Sequence, residues 1–144
     1  MSLGTILIIV VAVAAIGGVL AWGVSAGGKG KAGEREFPAY AYNSAAVLAG
    51  YKAAVAYPDQ IKYIPCYCGC GGAEGHQSLK ECFFKPDGDF NEHASGCHIC
   101  VGEAADVAKW LDDGRTLKDI RTAIENKWGK DGGGTETPPV PAGL

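Results

Sequence analysis

Residues 64–100 read IPCYCGCGGAEGHQSLKECFFKPDGDFNEHASGCHIC, and all six cysteines and all three histidines of the 144-residue chain fall inside this stretch. Cys66, Cys68 and Cys70 stand at alternating positions. In an extended chain their sulfurs point one way, and in a glycine-assisted loop they converge. Two cysteines one residue apart rarely bond to each other without strain, because disulfide geometry is demanding. Each therefore needs a distant partner or a shared ion. Cys82 falls on a short helical piece expected over 78–84. Cys97-His98-Ile99-Cys100 is a C-x-x-C where a helix should begin. There the free N–H groups and the macrodipole favour a thiolate.

Helices are expected on both sides of this stretch. Upstream, Asn43-Ser44 offers an N-cap to the Ala-rich run AAVLAGYKAAVAY, and Pro58 kinks or ends that helix. Downstream, Val101, Ala104, Val107, Ala108 and Leu111 recur at three and four, and Gly114 is a natural stop. Thr116 and Asp119 form a capping-box-like start to a last helix, whose apolar face is Leu117, Ile120, Ala123, Ile124 and Trp128. Pro86-Asp87-Gly88-Asp89 reads as a turn. No convincing strand and no internal repeat is present. Residues 130–144 hold four Gly and three Pro and are expected to be disordered.

The N-terminal part is of another kind. Residues 1–28 carry no charged side chain, so all 13 Lys+Arg and 16 Asp+Glu lie beyond them, and the mean hydropathy of +0.04 averages two unlike objects. Residues 3–26 (LGTILIIVVAVAAIGGVLAWGVSA) are long enough to span a bilayer as a helix. Trp22 stands where an interfacial aromatic is expected. A cleaved signal peptide ending at Val24-Ser25-Ala26 is the rival, but no Lys or Arg precedes the apolar run. Lys29, Lys31 and Arg35 follow the span and favour a cytoplasmic C-terminal part, whereas the cysteine content suits an oxidising compartment. The second argument is given the greater weight.

The expected fold class is all-α: one N-terminal transmembrane helix plus a small helical, cysteine-rich domain with an irregular middle segment. Its organisation is a membrane anchor over 1–27, a linker over 28–41, the cysteine-rich domain over 42–129 and the tail over 130–144. The expected location is the cell membrane, single-pass, with the C-terminal domain extracytoplasmic. Membrane lipid and a membrane protein complex are the partners expected.

Three chemistries compete for the cysteines. In the first, Cys66, Cys68, Cys70, Cys82, Cys97, Cys100, His76 and His93 ligate copper or zinc at one or two sites. His98, next to Cys97 on a helix, points elsewhere and is left out. In the second, Cys97 and Cys100 exchange thiol for disulfide. In the third, three disulfides in one of 15 connectivities staple a structural subunit. Covalent c-type haem is excluded, since Val101 rather than His follows Cys100. No Ser–His–Asp or paired-carboxylate constellation occurs, and Gly69–Gly75 lacks the Lys-Ser/Thr of a P-loop. The chain reads as a binder rather than an enzyme. With a net charge of -3 it has no basic footprint for nucleic acid.

Pro65-Cys66-Tyr67-Cys68-Gly69-Cys70, with Gly75-His76, Cys82-Phe83, Gly88, His93 and the C-x-x-C, resembles the bacterial family named for its PCYCGC motif. The resemblance covers about 42–129. It implies a secreted or membrane-anchored protein, often a lipoprotein, of uncharacterised function. Here an apolar span stands in place of a lipid-attachment cysteine. A fainter similarity, to the thiol-reducing subunit of cytochrome c maturation, rests on the C-x-x-C and on Lys127-Trp128-Gly129 ending the last helix.

Overall fold

The computed structural model describes residues 36–130 and 132–144. The expected membrane anchor and most of the linker lie outside the described residues. Among the described residues no helix is long and apolar enough to cross a membrane. They form five α-helices and no strand: α1 (Ala45–Ala56), α2 (Cys70–Ala73), α3 (Leu79–Phe83), α4 (His98–Asp112) and α5 (Leu117–Trp128). The single bridge, Phe84 to Phe90, closes the turn at Pro86–Asp89.

The caps are those the sequence signals. Ser44 accepts from the Val47 N–H at the start of α1, and Thr116 accepts from the Asp119 N–H at the start of α5. Gly114 takes φ +80° just beyond the end of α4, a conformation that favours glycine. Tyr57 caps α1 before Pro58, as the proline requires.

α1 and α4 form the central pair. They approach closely because Gly50 has no side chain: a Cβ there would lie 2.8 Å from the Val101 Cβ. α5 packs on α4 through a second such contact, where Trp128 lies over Gly102. Tyr51, fully buried on α1, meets Phe83 edge-on at 5.1 Å between centroids and ties the helix pair to the cysteine segment.

Two expectations about the flanks need correcting. Residues 37–41 are not merely linker. Ala41 is fully buried, and the Phe37 and Tyr40 rings pack at a tilt against Phe90 and Tyr51, with centroids 5.5 and 5.9 Å apart. Nor is the segment after residue 130 without structure throughout. Thr135 is buried, and the Arg121 guanidinium donates to the Pro138 carbonyl at 2.7 Å. The Gly and Pro content there denies the segment regular structure of its own, but tertiary hydrogen bonds hold it.

Candidate metal centre

The site is built where the backbone is pinned from several directions. The Leu79 N–H donates to the Ile64 carbonyl at 2.9 Å. The Cys66 N–H donates to Thr135 Oγ1, and the Thr135 N–H returns to the Cys66 carbonyl, both at 3.0 Å. The Tyr67 N–H donates to Glu103 Oε1 at 2.9 Å. Gly69, at φ +83°, then reverses the chain into the one-turn helix α2, which carries Cys70 inward. Cys82 sits on α3, capped by Ser78 in extended conformation. His93 begins a 3₁₀ turn, and its N–H donates to Asn91 Oδ1 at 3.1 Å. The Asn91 side chain is itself fixed to the Glu81 carbonyl at 2.8 Å. Cys97 is the N-cap of α4, and its sulfur accepts from the Cys100 N–H at 3.4 Å.

These segments bring all eight expected donors together. Cys66 and Cys68 Sγ are 3.4 Å apart, and each is 3.5 Å from Cys100 Sγ. Cys70 and Cys82 Sγ are 3.6 Å apart, and His76 Nδ1 is 3.6 Å from Cys82 Sγ. His93 Nε2 is 3.8 Å from Cys68 Sγ. The two imidazoles meet edge-on at 4.8 Å between centroids. Three sets of four have every donor atom within 4.8 Å of the others: Cys66, Cys68, Cys70, Cys82; Cys68, His93, Cys97, Cys100; and Cys70, His76, Cys82, His93. His98 is exposed and belongs to none of them.

The stapled arrangement expected as one alternative is not the one found: all six cysteines are free. The sulfur separations are far beyond the roughly 2.05 Å of a disulfide. They lie just short of the ~3.8 Å edge of a tetrahedron of thiolates about 2.3 Å from zinc. Cys66, Cys68 and Cys100 also make a triangle of nearly equal sides. A disulfide joins two sulfurs and cannot account for a triangle, whereas three ligands converging on one ion do.

Electrostatics agrees with a cation. Hydrogen bonds from neighbouring thiols hold protons off some sulfurs and on others. The Cys66 thiol is lowered, first by its hydrogen bond with Cys100, and Cys70 is lowered by its bond with Cys82. Cys97 is lowered to about 5 by the Cys100 thiol and by backbone N–H groups of the helix start. Burial raises Cys68, and the bond with Cys66 raises Cys100. Six sulfurs this close cannot all ionise without compensating positive charge. Thiolates and imidazoles are the donors that suit a soft or borderline metal ion, which would bring such charge.

Two residues the sequence reading did not single out shape the site. Glu103 is fully buried on α4, and its Oε2 has no hydrogen-bond partner. Burial, then the Cys66 sulfur beside it, raises its pKa to about 10. Its spacing of three from Cys100 places it on the helix face that carries that ligand, which is the signal available in the sequence. Thr135 had no comparable signal. A cavity of about 390 Å³ opens beside His76, walled by Gly69, Gly72, Gly133 and Thr135.

The family model described as a protein of unknown function with PCYCGC motif matches residues 29–141. Comparison with curated proteins and with solved structures gave no match.

Proposed function

The chain belongs to the family of proteins of unknown function with the PCYCGC motif, and we propose that it is a membrane-anchored, extracytoplasmic module that binds copper or zinc through its cysteines and histidines. The observation that supports this is the gathering of six free thiols and two imidazoles into overlapping four-donor sets. Membrane attachment rests on the uncharged residues 3–26, and the outward orientation on the cysteine content. As a carrier or as an accessory subunit of a membrane complex, such a module holds a metal that would be reactive if free.

The test is elemental analysis together with thiol titration of the full chain, purified in detergent without chelator. Bound metal with thiols that become reactive only after chelation is the expected result. Six cysteines all in disulfides, with no metal, would overturn the reading. Location is tested separately, by protease treatment of intact cells, which should digest the domain.

One observation favours a second reading. Cys97 is half-buried, has a lowered pKa and receives the Cys100 N–H, as the attacking thiol of a dithiol exchanger would. This reading requires that Cys97→Ser abolish reduction of a model disulfide. The metal reading requires that it weaken metal retention.

A further inference from the structure

A tetrahedral ion such as zinc takes four ligands from this donor set, so a single such ion leaves four donors unused within a few ångströms of it. Resting on the metal-binding reading, we infer that the centre holds two adjoining ions, one ligated by Cys66, Cys68, Cys97 and Cys100 and the other by Cys70, His76, Cys82 and His93.

The shortest contacts favour this division. The Cys66–Cys68–Cys100 triangle, with sides of 3.4 and 3.5 Å, stays whole on one ion. Cys97 joins it through Cys68 and Cys100, which lie with it and His93 in one set within 4.8 Å. The remaining four donors are themselves such a set, and they keep the 3.6 Å contacts of Cys82 with Cys70 and with His76. Of the contacts of 3.8 Å or less named above, one, between Cys68 and His93, runs from one group to the other; Cys82 also lies beside Cys66 and Cys100 across the division. The competing division gives three cysteines and one histidine to each ion. It moves His93 to the Cys68 group and Cys66 to the Cys70 group, and so cuts two of the triangle's three sides, those of 3.4 and 3.5 Å that meet at Cys66.

The two groups adjoin because Cys66 and Cys68 of one lie within 4.8 Å of Cys70 and Cys82 of the other. With divalent ions the all-sulfur group carries a net charge of about -2 and the mixed group is neutral, by ligand charge alone. The mixed group also borders the cavity beside His76, so it is the one an exchanging ion reaches through that opening.

The experiment is titration of the reduced, metal-free full chain with cadmium in detergent under anaerobic conditions, read by native mass spectrometry and by cadmium-113 resonance. Two ions per chain are expected, with two resonances whose shifts differ as four thiolates differ from two thiolates and two imidazoles. The doubly substituted His76→Ala, His93→Ala chain should bind one ion and keep the all-sulfur resonance. If that variant fails to fold, the wild-type stoichiometry and resonances decide by themselves. One ion per chain at saturation overturns the inference and leaves the metal-binding reading standing. Two resonances of equal thiolate character overturn the division. No bound ion overturns both.

Discussion

Thr135→Val replaces a hydroxyl by a methyl of similar volume. It removes the acceptor of the Cys66 N–H, a 3.0 Å bond between residues 69 apart in sequence. Cys66 is fully buried and Thr135 is 8% exposed, so water cannot take the place of the lost oxygen. Leaving a buried amide without a partner costs about 1–3 kcal/mol. For a domain of this size, urea slopes are about 1–2 kcal/mol per M, so the unfolding midpoint of the metal-loaded chain should fall by roughly 1 M. Thr135→Ser keeps the oxygen and loses only the methyl, which sits 3.2 Å from where a Gly71 Cβ would be. It should therefore lie much nearer the wild type. The assay is urea unfolding followed by tryptophan fluorescence, with chelator-driven metal loss measured alongside. If Thr135→Val unfolds within about 0.5 kcal/mol of the wild type, as an ordinary surface substitution does, the tail does not hold the cysteine loop and the reasoning fails.

Other outcomes follow from the same geometry. In the reduced, metal-free chain Cys97, lowered to about 5, should be alkylated first, at a rate nearly constant from pH 6 to 8 and falling only near pH 5; mass-spectrometric mapping showing Cys82 reacting earlier would contradict this. Glu103, raised from 4.5 to about 10, retains in the folded state a proton that the unfolded chain releases. Its contribution is complete below pH 4.5 and is lost as pH rises toward 10. Glu103→Gln should therefore gain stability relative to the wild type between pH 5 and pH 8, and parallel urea midpoints at the two pH values would refute it. Gly102→Ala would put a Cβ 2.5 Å from Trp128 Cη2, forcing out a ring whose Nε1 donates to Asp106 Oδ2 at 2.9 Å. A loss of about 1–3 kcal/mol with unchanged metal stoichiometry is expected.

What was legible in the sequence is what short-range chemistry encodes. Ser44, Thr116 and Gly114 mark helix ends by side-chain hydrogen bonding and by backbone freedom, and each does so in the structure. The gathering of the thiols and two of the imidazoles was legible because all six cysteines and all three histidines fall in one stretch. What was not legible depends on contacts distant in sequence. Phe37, Tyr40 and Ala41 looked like linker until Phe90 and Tyr51 were brought against them. An apolar stripe along α4 does not reveal a carboxyl buried within it, and Glu103 is one. Thr135 lies in a segment whose composition forbids helix and strand, and only its partner at Cys66 reveals its place.

In the proposed arrangement, the order of the donors along the chain sets the two groups apart. Cys70 and Cys82 meet across a separation of 12 residues, whereas Cys66 and Cys100 meet across 34. The inner loop is nested wholly within the outer one. Closing the longer loop from an open chain costs about 1 kcal/mol more in chain entropy, by the logarithmic dependence on length. Once the inner group has gathered, that difference shrinks, because the chain left to be searched is shorter. Assembly from the inside outward is therefore the cheaper route. On that route the inner donors gather before the helix carrying Cys100 docks, and the outer ones as α1 and α4 come together. Ions bound in the proposed way would leave in the same order, since the inner group borders the cavity beside His76 while α1 and α4 are still packed.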